Sequence, residues 1–327
     1  MRIAINGMGR IGRLLLRRLL EDEQFEVAAV NDIMPVENLA YLLKHDSIYG
    51  TYPSEIKASA QSLIINKKEI IALKEEHPAN LPWNELNIDA VLECSGKFSD
   101  KQSVSMHLEA GAKKVLLSTT GADDIPLKVY GFNQNGSIAD LDILSPGGCM
   151  TNCSVHVLYI LNSIGIDSAH INILHSYTSR QSLVDTSHSQ FRRGRAAAES
   201  IIPVAIDLHK SLNRLLPALH DKINVFSTRV PVANGAMAEF TVQLKDNIST
   251  REINKLFKTS AQTEYKGILD YTDEPLVSLD IKGNTHSCII DGTQTSVIGN
   301  HARIVAWFDN EYGFTSRMID WLKYWEK

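Results

Sequence analysis

The chain of 327 residues is 44% hydrophobic with no low-complexity run, which excludes a disordered protein and is enough to build a sizeable core divided between two domains. Its formal net charge of -5 supplies no basic field for nucleic acid or an acidic membrane surface, so the expected partner is a small molecule. No stretch approaches the roughly 20 apolar residues of a membrane span.

The opening segment, M-R-I-A-I-N-G-M-G-R, is broken by Asn6 and Gly7 and does not read as a secretory signal. Residues 2–5 form a short apolar strand ended by Asn-Gly. Ile11, Leu14, Leu15 and Leu19 then recur at helical spacing, and F-E-V-A-A-V-N-D follows as a second strand. The glycines Gly7, Gly9 and Gly12 of this β-α-β unit fit the G-x-G-x-x-G pattern. There, bare backbone and a helix start can meet a pyrophosphate. Asp32, 20 residues beyond Gly12 at the end of the second strand, can bond ribose hydroxyls and repel a 2′-phosphate, so NAD is expected rather than NADP. The bland reading of the same residues is a tight turn and a helix-capping acid; strand, glycines, helix and acid in that order favour the cofactor.

Residues 55–73 read as hairpin material around Asn66-Lys67-Lys68, 89–94 as a strand, 101–110 as a helix and 114–118 as a strand. After the glycines at 147 and 148 the pattern changes. A helix runs from Cys149 to about Ser163, longer strand candidates lie at 169–175, 225–232 and 237–245, and an amphipathic helix ends the chain. The expected architecture is α/β: a Rossmann-type dinucleotide-binding domain over 1–148 with 310–327, and an α+β catalytic domain over 149–309 with a largely antiparallel sheet.

The four cysteines, Cys94, Cys149, Cys153 and Cys288, include no C-x-x-C pair, which fits a reducing cytoplasm. Cys149, Cys153 and His156 lack a second ligand pair, so no metal is expected. Cys149 opens a helix in S-P-G-G-C-M-T-N-C and is either a nucleophile or a buried thiol; a helix start and a nearby imidazole would both lower its pKa. Among the eleven histidines, His175 is the candidate partner because it ends an apolar strand before the polar turn S-Y-T-S-R. A thiol beside a bound nicotinamide points to aldehyde oxidation through a hemithioacetal and a thioester, with His175 as base.

The motifs I-N-G-M-G-R-I-G, N-D, G-A-K-K-V-L-L-S, C-M-T-N-C, H-S-Y-T, R-R-G-R-A-A-A-E-S-I-I-P, T-R-V-P-V-A-N and W-F-D-N-E-Y-G-F carry a resemblance. In these the chain resembles, nearly end to end, the glyceraldehyde-3-phosphate dehydrogenase family with its erythrose-4-phosphate dehydrogenase branch. The resemblance implies Cys149 as nucleophile and His175 as base. It implies Arg10, Ile11, Asp32, Ser95, Gly96 and Ser118 on the cofactor, and Asn310 on the nicotinamide amide. Thr178 and Arg229 match substrate-phosphate positions and Arg193 an anion-binding arginine, while Arg192 and Arg195 read as surface or interface charge. It further implies a phosphorylated aldehyde as substrate and a homotetramer.

Three departures bear on the chemistry. The family's S-N-A-S-C-T-T-N-C is S-P-G-G-C-M-T-N-C here, and Ile206 stands where a threonine is usual. Gly148, Met150 and Ile206 therefore remove hydroxyls that help bind the attacking inorganic phosphate. Glu76 also replaces a frequent arginine near the adenine. L-P-W-N-E-L, G-I-L-D-Y-T-D-E-P-L-V-S and H-S-C-I-I-D-G-T-Q-T resemble the erythrose-4-phosphate enzymes, although Met150 departs from both branches. The sequence thus places erythrose 4-phosphate, released as the acid by water, slightly ahead of glyceraldehyde 3-phosphate with phosphorolysis. A cofactor-binding member with little turnover is the reading from another class.

Overall fold

The computed structural model describes every residue except Asn135, Gly136, Ser137, Ala139 and Lys327. The chain forms two compact units, Met1–Gly148 with Arg317–Lys327, and Cys149–Ser316.

The first unit alternates strand and helix. β1 (Arg2–Asn6), α1 (Arg10–Leu19) and β2 (Glu26–Asn31) form the opening right at the N-terminus, followed by α2 (Val36–Lys44) and the short pair β3 (His45–Asp46) and β4 (Gly50–Thr51). β5 (Ile56–Ala58), β6 (Ser62–Ile65) and β7 (Lys68–Leu73) come next, then β8 (Ala90–Glu93), α3 (Lys101–Glu109), β9 (Lys114–Leu117) and β10 (Ile143–Leu144). The sheet runs in the order β10-β9-β8-β1-β2-β7-β6-β5. It is parallel from β10 to β7 and antiparallel at β7-β6-β5. The β6-β7 hairpin turns on Asn66 and Lys67, both with positive φ, 48° and 70°, the backbone signs of a type I′ turn. The central strands are apolar on both faces, as a sheet covered on both sides requires.

The second unit begins with α4 (Cys149–Asn162) and β11 (Ile166–Ser176). It continues through β12 (Ile202–Val204), α5 (Leu208–Leu215), β13 (Ile223–Val230), β14 (Ala236–Leu244) and α6 (Thr250–Gln262). β15 (Leu269–Thr272), β16 (Cys288–Asp291), β17 (Ser296–Ile298) and β18 (His301–Phe308) complete its sheet. Strand order is β12-β13-β11-β14-β18-β16-β15, largely antiparallel, with parallel pairs only at β11-β13 and β15-β16. β11 and β14 alternate buried and partly exposed positions along much of their length, whereas α4 is buried over most of its surface because its sequence is apolar on more than one face.

α7 (Tyr312–Trp325) closes the chain, and only its residues from Arg317 onward belong to the first unit. The sequence assigns residues 310–316 to the dinucleotide domain; in the structure they cluster with the second unit. The cause is the buried Asp309 carboxylate, which accepts from the N–H groups of Gly283, Glu311 and Tyr312 and from Asn234 Nδ2 at 2.8–3.1 Å. Asn310 is held to Gly235 in the same way.

In the first unit Trp321 of α7 is fully buried, edge-on to Tyr130 and Tyr324 with ring centroids 5.7 and 5.6 Å away. Trp321→Ala leaves a cavity of indole size, and we expect a loss of about 3–5 kcal/mol in urea unfolding monitored by circular dichroism. A loss below about 1 kcal/mol would show that the helix is not part of the core.

Candidate active site

The dinucleotide candidates of the first unit collect at the carboxyl ends of β1, β2, β8 and β9. β1 lies between β2, reached directly, and β8, reached later, which is the reversal of strand order where parallel sheets open a crevice. Gly7 has φ +91°, and a Cβ there would lie 2.3 Å from Ser95 N. A Cβ on Gly12 would lie 2.1 Å from Gly7 O, so helix and turn pack closely only because both residues are glycine. At Gly9, by contrast, a Cβ would meet nothing within 4 Å, and this N-cap of α1 places no side chain over the helix start. Two glycines thus serve close packing and one leaves open space at a helix N-terminus, a cradle that fits a pyrophosphate.

Arg10 and Ile11 form the first turn of α1, and the Arg10 guanidinium pairs with Asp46 and lies 5.9 Å from the Tyr49 ring centroid. The Asp32 carboxylate accepts from the N–H groups of Met8 at 2.6 Å and Met34 at 3.0 Å, which fixes it beside the glycine turn. Gly96 takes φ +69° in the turn after β8, and Ser118 N–H donates to Glu93 O at 2.9 Å. Asn310 is the one cofactor candidate that lies elsewhere, in the second unit.

There the site is built on the ends of β11 and β13 and on the first residue of α4. Cys149 opens α4, and its Sγ lies 3.7 Å from His175 Nε2. His175 Nδ1–H donates to Ser176 O at 2.8 Å, so Nε2 keeps its lone pair toward the thiol. Parallel pairing aligns His175 with Arg229, whose Nη1 donates to the same Ser176 carbonyl at 3.2 Å. Asn310 Oδ1 accepts from Ser176 Oγ at 3.2 Å and from Gly235 N–H at 2.9 Å, which leaves the amide NH2 as the end able to meet another acceptor.

The sequence leads one to expect a lowered thiol pKa. Instead, burial pushes the Cys149 thiol up, to about 11, against the opposing pull of the Arg229 guanidinium and the Met150 N–H. Burial, reinforced by Arg229, holds His175 down to about 3. The resting pair is therefore thiol and neutral imidazole, a base already in its working form.

Arg193 and Arg229 are both buried, yet Arg193 Nη1 and Arg229 Nε have no hydrogen-bond partner and neither side chain has an ion pair among the described residues. Arg193 spends its other donors on Gln190 Oε1 at 2.6 Å and Ala205 O at 3.3 Å. Burial depresses the pKa of each, Arg229 to about 10, and the neighbouring Arg180 adds to both shifts. A buried guanidinium with a free donor and no carboxylate partner is suited to an anion. Thr178 N–H and Oγ1–H both donate to Gln181 Oε1, at 2.9 and 3.0 Å, and Gln181 Nε2 is buried without a partner.

Ser176 and Gln181 are participants that residue-type reasoning passes over. Ser176 acts chiefly through its backbone carbonyl, which leaves no mark in sequence; Gln181 has only its spacing from Thr178. Ile206 packs against Ala197, Ile202 and Val204, so the position of the missing hydroxyl is given to an apolar cluster. Among the described residues no group of three His, Cys, Asp or Glu side chains is placed to hold a metal, and no helix is long and apolar enough to cross a membrane.

Residues 1–101 match the family model described as glyceraldehyde 3-phosphate dehydrogenase, NAD binding domain, and residues 148–310 that family's C-terminal domain. Glyceraldehyde-3-phosphate dehydrogenase 2 of Bacillus subtilis (strain 168) is 40% identical over 326 residues, covering 99% of this chain and 96% of the relative. The chain belongs to the glyceraldehyde 3-phosphate dehydrogenase family. Glyceraldehyde-3-phosphate dehydrogenase of Borreliella burgdorferi is 41% identical over 98% of both chains, and that of Zymomonas mobilis 41% identical over 98% of this chain and 96% of its own. The cofactor of this family member is NAD, in keeping with the glycine cradle and the Asp32 carboxylate.

The two perturbed groups set opposite limbs of a pH-stability curve. His175 titrates near 3 when folded and at an ordinary 6.5 when unfolded, so the unfolded chain binds the proton first and stability falls as pH drops below 6.5. Cys149 titrates near 11 when folded and at an ordinary 9.0 when unfolded, so stability falls as pH rises above 9.0. Denaturant unfolding across pH should show the acid slope reduced by about 1.4 kcal/mol per pH unit in His175→Asn and the alkaline slope reduced similarly in Cys149→Ser. Unchanged slopes in these variants would contradict the burial of the pair.

Proposed function

We propose that this protein oxidises glyceraldehyde 3-phosphate with NAD through a thioester on Cys149, and that inorganic phosphate accepts the acyl group. The observation that carries the reading is the 3.7 Å approach of Cys149 Sγ to a His175 Nε2 whose lone pair is fixed toward it. The sequence favours erythrose 4-phosphate; the change of preference is supported by relatives that are named glyceraldehyde-3-phosphate dehydrogenase.

The Cys149 sulfur adds to the aldehyde carbon while His175 Nε2 takes the thiol proton and delivers it to the new oxygen, giving a hemithioacetal. His175 then holds that hydroxyl proton as the carbon is oxidised to the thioester. NAD, when bound by Gly7, Gly9, Gly12 and Asp32, would supply the hydride acceptor, and the Asn310 NH2 is the donor proposed for its amide. A phosphate oxygen displaces the sulfur, and Cys149 leaves as a thiolate that regains its proton from His175. Arg229 and Thr178 hold the substrate phosphate, and Arg193 the attacking anion. Guanidinium donors carry anion binding where Gly148, Met150 and Ile206 offer no hydroxyl, so half-saturation by phosphate should be high.

A homotetramer is part of this proposal. It is supported by the exposed apolar side chains Leu183, Val184, Phe191 and Ile201, between 65% and 88% accessible, in the segment that runs from S-Y-T into I-I-P. A cytoplasmic site of action is supported by four free cysteines. Light scattering should give four times the 36.4 kDa chain mass, and a monomer would reject the assembly.

Steady-state assays with both aldehydes test the chemistry. The expected result is a higher kcat/KM for glyceraldehyde 3-phosphate and a rate that climbs with phosphate. Faster, phosphate-independent oxidation of erythrose 4-phosphate would overturn the proposal, and no turnover of either aldehyde would leave a cofactor-binding protein. His175→Asn should lower kcat by about 10²–10⁴.

A further inference from the structure

Glu93 ends β8, is 2% exposed, and has no lysine or arginine partner among the described residues. Its carboxylate is nevertheless fully engaged. Oε1 accepts from Ser95 N–H at 2.8 Å and Ser95 Oγ–H at 2.5 Å; Oε2 accepts from Asn6 Nδ2 at 2.5 Å and His107 Nε2 at 2.9 Å. His107, on α3, is itself fully buried. Trp83 Nε1–H donates to His107 Nδ1 at 3.0 Å, so the imidazole proton sits on Nε2 and points at Glu93. The chain of donors is one-directional, from Trp83 through His107 to the carboxylate.

The two oxygens of the Glu93 carboxylate reach the glycine turn from different sides, Oε2 through Asn6 and Oε1 through Ser95. Asn6 directly precedes Gly7, and its own Oδ1 accepts from Asn31 Nδ2 at 2.7 Å at the end of β2. Ser95 is the residue whose backbone occupies the space that a Cβ on Gly7 would need. One carboxylate thus ties the glycine turn after β1 to the serine turn after β8. A buried anion is costly, and an apolar side chain of the same volume would fill the space without that cost. What the carboxylate adds is direction: three of the four bonds it accepts come from Asn6 and Ser95 beside the glycine turn, and the fourth, from buried His107, holds it in place.

We propose that Glu93 and His107 are positioning residues for the dinucleotide, holding Ser95 and the Asn6-Gly7 turn at the spacing the cofactor requires, with Trp83 setting the histidine tautomer. The inference rests on NAD binding by the first unit and not on the choice of aldehyde.

The test compares NAD affinity by titration calorimetry with the rate of Cys149 alkylation by iodoacetate in the absence of NAD, on the full-length protein. His107→Leu removes the donor to Glu93 and the acceptor for Trp83. His107→Gln keeps both, since one amide offers an oxygen and an NH2. His107→Leu should weaken NAD binding about tenfold, His107→Gln should recover most of the affinity, and Cys149 alkylation should be unchanged in both. Trp83→Phe, a milder change that frees the tautomer, should weaken NAD binding about threefold and covers the case of a leucine variant that does not fold. Wild-type NAD affinity in His107→Leu or in Trp83→Phe would overturn the proposal. So would equal losses in the leucine and glutamine variants accompanied by slower Cys149 alkylation, which would mark a general loss of structure. Because the readout is NAD binding, a wild-type chain inactive on both aldehydes would leave these affinities measurable and decisive.

Discussion

One backbone carbonyl, that of Ser176, organises the chemistry of the second unit. It accepts from His175 Nδ1 and from Arg229 Nη1, using both of its lone pairs. The first bond decides which imidazole nitrogen is basic, and the second anchors the guanidinium that lowers the proton affinity of both His175 and Cys149. These demands are compatible only because β11 and β13 run parallel with His175 in register with Arg229. A shift of one residue would turn either side chain to the opposite face of the sheet, and the carbonyl could no longer serve both.

The electrostatic balance at Cys149 follows from that arrangement. Burial alone keeps the thiol protonated, while Arg229 and the start of α4 favour the thiolate, and burial has the larger effect. Arg229 also opposes protonation of His175, so it does not build a standing thiolate-imidazolium pair. The geometry instead suits proton transfer at the moment of attack, when the sulfur charge is passing into a new covalent bond. An anion bound at Arg229 would weaken that influence on both groups, so the substrate phosphate, under the proposed function, would take part in tuning the thiol.

Much of this was legible in sequence where a residue type is tied to one physical task. Gly7, Gly9 and Gly12 announce a turn and a close approach, Asp32 follows at the expected distance, and the period of apolar residues marks both α1 and the strands around it. The turn at Asn66-Lys67 was also readable, although its second residue is a lysine in a left-handed conformation that glycine would favour. Groups that act through backbone atoms were not readable, Ser176 above all. Neither was the placement of residues 310–316, because it depends on Asp309 collecting amides from segments distant in the chain. The thiol pKa departs from the sequence expectation for a related reason: a helix start is visible in sequence, but the depth of burial that outweighs it is not.

The cysteine loop shows how a changed motif can keep one half of a reaction and alter the other. Gly147 adopts φ +79° and donates its N–H to Ser145 Oγ at 3.0 Å, which turns the chain into the helix start without any residue of the family's usual S-N-A-S stretch after Ser145. Placement of the nucleophile therefore does not require the hydroxyls that Gly148 and Met150 lack. The hydroxyls that the family resemblance assigns to the acyl acceptor are absent, and the Ile206 side chain is turned to apolar packing. What remains for an anion is a set of buried guanidinium and amide donors on Arg193, Arg229 and Gln181 that the fold leaves unpaired. Arginine donors bind a dianion by charge as well as by direction, whereas neutral hydroxyls contribute direction alone. A site stripped of the hydroxyls should thus keep attraction for phosphate and lose some control over how it is oriented for attack.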